Sequence, residues 1–583
     1  LASDIWYGTS GPRSARIVVV GESWGWEEQQ ARAPFVGQSG QELRRMIAEA
    51  GLDPDECFYT NVVPERPDGN EMWRFFSPTK GAVAPFVRGL YPLPNVVEGL
   101  RCLHEQLRAI KPLVVVACGN YALWALTNCT SWSTPAEAEG RRVPSGIMQW
   151  RGSQWYCDAV PDLATLPLVP LIHPAAILRA WYNRAVTVHD LRERVCKQGL
   201  ARDWRGPKPQ VHAPPTFEHA RSTLIHWINS CNNGNKLRLM NDIETARGLM
   251  TCIGFADSPQ FAMSIPFIRT GYGQPFESYW TYEEEKTLVK LIRTLLSHPN
   301  CLVEGQNYLY DIQYIQKFLG CTPQHAFDSM LAHHLLFPGT PKGLDYLSSL
   351  YCKYHWYWKE DHKEWDMRGS IEQLLQYNAL DCLKNFEINT VLKDLIPKLG
   401  QEAQWAEEME KNSLALEMMN RGIRIDTGER GMFLMNLCAE ADSMAFWFNR
   451  ILPQEFVSPD AGKGVAAWWQ SPHQQRRFFG TDLGFNLPTN RKTDRKTFNG
   501  EALTQLGDRH PEFIRLFEAL ELFRSIRVFT NTFVRAELDD APGGSRMRCM
   551  FNTAGTETFR WSSSENAFGR GTNLQNIPKG EED

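Results

Sequence analysis

Three short apolar runs, Ile17–Val20, Leu113–Ala117 and Leu168–Ile172, alternate with helical stretches through the first 200 residues or so. Runs that short suit buried strands joined by helical crossovers, which constrains this part of the chain to an α/β domain with a mainly parallel sheet. A stretch rich in proline and charge, 202–215, reads as a linker. From about 216 a second α/β unit opens with a helix and the strand Lys236–Glu244, then grows more helical. Beyond 400 long amphipathic helices take over, over 405–420 and 511–536 for example, broken by a polar, basic segment around 470–500. The expected organisation is multidomain α/β: residues 1–200, a linker at 201–216, a second domain at 217–400, and a mainly helical part at 401–583.

A chain of 583 residues is too long for one hydrophobic core. With 43% hydrophobic and 11% aromatic residues it can bury several. The net charge of −5 excludes a uniformly basic coat, but a DNA enzyme needs only local basic grooves. None of the 14 cysteines stand in a C-x-x-C spacing, so reduced thiols are expected rather than a disulfide framework, zinc ribbon or iron–sulfur site. The apolar runs are strand-sized and no signal peptide is recognisable, which implies a cytoplasmic protein with no membrane partner. The start at Leu1 and the charged stub 579–583 suggest that both ends are cut.

The strand through Asp242-Ile243-Glu244 puts two carboxylates on one side, because strand side chains alternate with period two. Like charges held together are costly unless a cation neutralises them. Downstream, Asn307 and Asp311 stand at i and i+4, the spacing of one helical face, and so do Tyr377 and Asp381. Four acids and a tyrosine on one strand and two helices can converge on hard metal ions. Phosphodiester hydrolysis needs such a centre, to activate a water and to stabilise the leaving 3′ oxygen.

The ordered set resembles the DEDDy proofreading exonuclease of family A (DNA polymerase I type) polymerases, an RNase H-like domain. The resemblance implies Mg²⁺ or Mn²⁺ as two ions, with Asp242, Glu244 and Asp381 on the first. Asp242 would bridge to the second, Asp311 would serve the second through water, Tyr377 would position the nucleophile, and Asn307 would contact substrate. Ile243 should point away from the site, and Asp328 should be structural.

Residues 421–426 (Arg-Gly-Ile-Arg-Ile-Asp) and Ser471–Gln475 resemble segments of a family A thumb. Thr556–Ser563 and Thr572–Pro578 resemble the signature at the start of the palm, which implies that Arg560, Asn573, Gln575 and Asn576 contact primer–template. Phe559 stands where the family has glycine, so a different turn is expected. The palm and fingers motifs that carry polymerase chemistry are absent up to Asp583, so no polymerisation is expected of these residues.

Near the N-terminus, Gly21–Glu28, Pro34–Gly37, Thr60–Pro67, Trp150–Gly152 and His173-Pro174 occur in an order similar to the uracil-DNA glycosylase superfamily, nearest its families 4 and 5. That resemblance implies Phe35 stacking on a flipped base, Asn61 reading the uracil edge and His173 stabilising the departing uracil anion. Ser23 replaces the usual water-activating Asp and leaves Glu22 as the nearby carboxylate. Glu65 stands where family 4 has a cluster-binding Cys, so no iron–sulfur cluster is expected.

The leading expectation is a truncated, bacteriophage-like replication polymerase in a bacterial or phage-infected cell. It would act on single-stranded 3′ ends, primer–template and uracil-containing DNA. Two alternatives stand beside it: a stand-alone RNase D-type exonuclease, and a DNA-binding scaffold whose glycosylase-like head only senses uracil.

Overall fold

The computed structural model describes the chain apart from residues 1–3, 78, 80–89, 128–145, 270–276, 360–370, 459–464, 491–494 and 578–583. It divides into two compact units, Leu1–Ala406 and Glu407–Asp583. Among the described residues no helix is long and apolar enough to cross a membrane.

The first unit contains two sheets. In the first, Ile17–Ser23 lies between Cys57–Val63 and Val114–Cys118, with Pro167–Leu171 beyond, all parallel, and the short Trp155–Tyr156 pairs antiparallel at the edge. Both faces of Ile17–Ser23 are covered, as a parallel sheet requires. Val18 and Val20 join Leu103, Leu107 and Trp124, whereas Ile17 and Val19 join Leu43, Met46 and Leu191. The chain leaves Ile17–Ser23 first to one side and later to the other. The carboxyl end of that strand is therefore a topological switch point, where an open α/β sheet leaves a crevice.

The second sheet is mixed, in the order His325–Asp328, Cys301–Gly305, Leu237–Ala246, Leu249–Ser258, Phe261–Pro266, Gln210–His212. Leu237–Ala246, Leu249–Ser258 and Phe261–Pro266 form an antiparallel meander, and the remaining strands add in parallel. The helix Ile371–Lys398 packs on this sheet through Leu374, Leu375, Ala379 and Cys382. The parallel-sheet domain, the mixed-sheet domain and the helical remainder agree with the expected fold class.

The stretch that reads as a linker is not loose chain. Gln210–His212 form the edge strand of the second sheet, and Trp204 is buried, its Nε1 donating to the Trp155 carbonyl at 3.0 Å. Proline and charge counts do not register strand pairing or one anchoring tryptophan.

Two buried arginines tie the sheets into one body. Arg151 pairs with Asp190 at 3.0 Å, both side chains essentially inaccessible, and donates to Ser349 Oγ at 2.8 Å. Arg194 donates to the carbonyls of Ser349 (2.8 Å), Cys352 (3.0 Å) and Lys353 (2.6 Å), at the end of the helix Leu344–Tyr351.

In the second unit Asp426 caps the helix Thr427–Ile451 by accepting from the backbone of Gly428 and Glu429. Its core is aromatic, with Phe448, Trp468, Phe479, Phe498, Phe517 and Phe523. The helix expected over 511–536 is three pieces: a 3-10 turn Pro511–Phe513, an α-helix Ile514–Phe529 and a π-helical turn Thr530–Val534.

Removing one partner of a buried ion pair leaves the other charge desolvated. Asp190→Ala is therefore expected to destabilise the first unit by about 3 kcal/mol or more, read from denaturant unfolding.

Candidate functional site

Asp242 and Glu244 alternate with the buried Ile243 along Leu237–Ala246, so Ile243 turns away as expected. Asp381 on Ile371–Lys398 completes a group of three whose ligand oxygens all lie within 4.8 Å of one another. Gly254 permits this approach. It is the register partner of Asp242, and a Cβ there would sit 2.3 Å from Asn378 Oδ1 and 2.9 Å from Cys382 Sγ.

Asp311, on Leu309–Leu319, is buried beside this group without belonging to it, and its Oδ1 accepts from the Ile243 N–H at 2.9 Å. Tyr377, one helical turn before Asp381, is buried, and its hydroxyl accepts from Lys359 Nζ at 2.6 Å. Asn307 differs from expectation. It precedes the helix with a left-handed φ of 52° and its N–H donates to Asp328 Oδ1, so it shares no helical face with Asp311. Asp328 is structural: its carboxylate accepts from the backbone of Asn307, Tyr308, Met330 and Leu331 and caps the helix Ser329–Leu336.

Desolvation first, then the charge of Asp381, pushes the Asp242 carboxyl above the usual carboxylate range. Glu244 is raised by desolvation and then by Asp242, and Asp311 likewise. The cluster of Asp242, Glu244 and Asp381, in which burial and mutual charge push the Asp242 and Glu244 carboxyls up, fits a hard divalent cation, which supplies the missing positive charge.

Sequence reasoning missed three residues here. Asn378 donates to Asp242 Oδ2 at 2.7 Å and accepts from Ser264 Oγ at 2.7 Å. Trp358 Nε1 donates to Asp381 Oδ1 at 2.6 Å, and Lys359 Nζ to Asp381 Oδ2 at 2.8 Å. Asn378 could have been found, being one turn from Asp381 on the same helix. Trp358 and Lys359 lie in a segment without periodicity, and only the fold brings them in.

At the switch point of the first sheet, Asn61 on Cys57–Val63 pairs with Gly21. A Cβ on Gly21 would lie 2.1 Å from Asn61 Oδ1 and 2.8 Å from Phe35 Cζ, so the expected stacking and edge-reading residues converge around one glycine. Phe35 and Asn61 are both buried, and Phe35 has φ 54°. His173 caps the helix Pro174–Arg179, its Nδ1 accepting from the Ala175 N–H at 3.3 Å, which leaves Nε2–H as the donor of a neutral ring. Glu22 is already engaged: its Oε1 accepts from the Tyr121 N–H at 3.1 Å, in the first turn of the helix Asn120–Leu126. Glu65 accepts from Asn95 Nδ2 at 3.2 Å.

In the second unit Arg560, Gln575 and Asn576 are exposed. Asn573 is held inward: its Oδ1 accepts from Ser563 Oγ at 2.5 Å and from the Gln575 N–H at 3.1 Å. Phe559 has φ 59°, the left-handed conformation that glycine favours. Of the basic segment 491–496, residues 491–494 lie outside the described residues.

Residues 8–193 match the family model of the uracil DNA glycosylase superfamily, and residues 277–397 that of a 3′-5′ exonuclease. The type-4 uracil-DNA glycosylase of Archaeoglobus fulgidus is 29% identical over 173 residues, 29% of this chain and 69% of that protein. The Thermotoga maritima type-4 enzyme is 27% identical over 188 residues, 31% of this chain and 78% of its own. The DNA polymerase of Bacillus phage SP01 is 21% identical over 357 residues, 56% of this chain but only 33% of the phage protein. Among solved structures, the polymerase domain of Pol1 from M. smegmatis, in complex with DNA primer-template and dNTP, is 18% identical, with a TM-score of 0.40 over 65% of this chain and 57% of that one. The chain thus carries a segment that matches the uracil DNA glycosylase superfamily ahead of one that matches a 3′-5′ exonuclease, and it is similar over part of its length to a phage DNA polymerase.

An acid whose folded pKa is raised favours the protonated folded state, so its contribution to stability falls as pH rises from its unfolded value through its folded one. In chelator, the first unit should therefore lose thermal stability as pH rises from about 4 to 8. Asp242→Asn should flatten that loss, as followed by calorimetry, and an added divalent ion should reverse it.

Proposed function

We propose that this chain hydrolyses DNA from the 3′ end in a metal-dependent reaction, as the proofreading portion of a polymerase I-type replication enzyme, and that its N-terminal domain recognises uracil in DNA. The observation that carries this reading is the cluster of Asp242, Glu244 and Asp381 on facing strand and helix. We assign residues 1–200 to the glycosylase-like domain, 217–400 to the exonuclease, and 401–583 to the thumb and the beginning of the palm.

Two Mg²⁺ or Mn²⁺ ions, when bound, would supply an activated water and stabilise the leaving 3′ oxygen. Asp242, Glu244 and Asp381 would hold the first ion, and Asp242 and Asp311 would serve the second. Tyr377, one turn from Asp381, orients the attacking water through its hydroxyl, and Asn307 contacts the substrate strand. The exposed Arg560, Gln575 and Asn576 contact primer–template, while Asn573 shapes their loop. The likeness to a phage polymerase supports action in the cytoplasm of a bacterial or phage-infected cell.

In the head domain Phe35 stacks on the base, Asn61 reads its edge and His173 donates from Nε2. One observation favours sensing over excision. Glu22, the carboxylate beside Ser23, is committed to the Tyr121 N–H.

With Mg²⁺ or Mn²⁺ the chain should shorten labelled single strands and mispaired ends from the 3′ side. Asp242→Ala should abolish the activity, and Tyr377→Phe should lower the rate about a hundredfold. Full activity in Asp242→Ala would overturn the site.

For the head domain, single-turnover uracil release and the affinity for uracil against thymine strands are measured in an exonuclease-dead background. Sensing predicts preferential binding lost in Asn61→Ala, with little release. Equal binding of both strands and no release leave the domain without a base-reading role.

A further inference from the structure

The carboxylate cluster already holds a cation from the chain itself. Lys359 Nζ lies 2.8 Å from Asp381 Oδ2 and 2.6 Å from Tyr377 Oη. Trp358 Nε1 donates to Asp381 Oδ1, so this dipeptide engages both oxygens of an acid assigned to the metal.

The dipeptide ends a segment, 353–359, that is docked on the glycosylase-superfamily domain. The Gln154 N–H donates to the His355 carbonyl at 2.7 Å, and the His355 N–H donates back to Gln154 Oε1 at 2.9 Å. The Tyr357 N–H donates to Ser153 Oγ at 3.2 Å, and the Tyr357 ring stands edge-on to Trp150 with centroids 5.2 Å apart. Arg194 grips the Cys352 and Lys353 carbonyls where the segment begins.

We propose that segment 353–359 is a strap by which the N-terminal domain holds Lys359 in the exonuclease site, as a positioning residue that stands in for metal and competes with it. This rests on reading the cluster as a metal site. An ammonium bonded to Asp381 satisfies part of the charge that a divalent ion would satisfy, and the two positive charges repel if both remain. The lysine stem is flexible, its side chain is 23% exposed, and the backbone behind it is fixed, so the head group can withdraw without the strap leaving. Each metal-binding event is then paid against the internal ion pair, and the strap's anchorage on the N-terminal domain sets how readily the lysine leaves.

The test is Mn²⁺ binding to the full chain without DNA, followed by electron paramagnetic resonance of the free ion. Lys359→Met should tighten binding about tenfold, because the competing charge is gone, whereas Lys359→Arg, which keeps the charge, should stay within about twofold of the parent. Gln154→Ala, which loosens the strap far from the carboxylates, should tighten binding about threefold. Unchanged or weaker binding in Lys359→Met overturns the proposal. Tightening there with parental affinity in Gln154→Ala overturns the strap. A parent chain that binds no Mn²⁺ and matches Asp242→Ala overturns the metal-site reading beneath it.

Discussion

Carboxylates crowded in a desolvated site repel one another, and the first unit is organised around tolerating that repulsion. The strand alternation that aims Asp242 and Glu244 the same way creates the difficulty, and Asp381 and Asp311 add to it. The surroundings answer with donors. Asn378 gives an amide to Asp242, the Ile243 N–H goes to Asp311, and Trp358 and Lys359 go to Asp381. Gly254 contributes by lacking a side chain, so that the helix can come close enough to share the site. Such an arrangement is electrostatically unfinished until a cation completes it, which is how a folded site can store affinity for metal.

Much of this was legible in the sequence because it follows from period. Two acids two residues apart on a strand must share a face, and a tyrosine four residues before an acid must share a helical face with it. Where period did not apply, the reading failed. Asn307 and Asp311 have helical spacing, yet the left-handed Asn307 precedes the helix because Asp328 holds its N–H. Trp358 and Lys359 carry no periodic signal at all. The supposed linker was read from composition, which cannot show that Gln210–His212 find a parallel partner in Phe261–Pro266.

The N-terminal domain shows the same contrast between identity and context. The positions that resemble a base-reading pocket converge on Gly21 at the switch point of a parallel sheet, where the topology leaves a crevice. Identity alone made Glu22 a candidate for chemistry. Its contact with the first turn of Asn120–Leu126 shows a carboxylate already placed where a helix dipole and an N–H favour it. Phe559 is a related case in the second unit: residue type alone would not place a phenylalanine in a left-handed conformation, yet its backbone takes one.

The buried arginines bear on how such a protein can be inherited. A head domain joined to a nuclease by a flexible tether could be gained, lost or exchanged as a cassette. Here Arg151 and Arg194 of the one reach Ser349 and the backbone ending the helix Leu344–Tyr351 of the other. Cutting the chain between them would take from the second piece the donors of its Ser349, Cys352 and Lys353 carbonyls, and from Arg194 those acceptors. The two domains share an interior, so substitutions in either must be compatible with the other, and the pair is expected to pass through descent as one module.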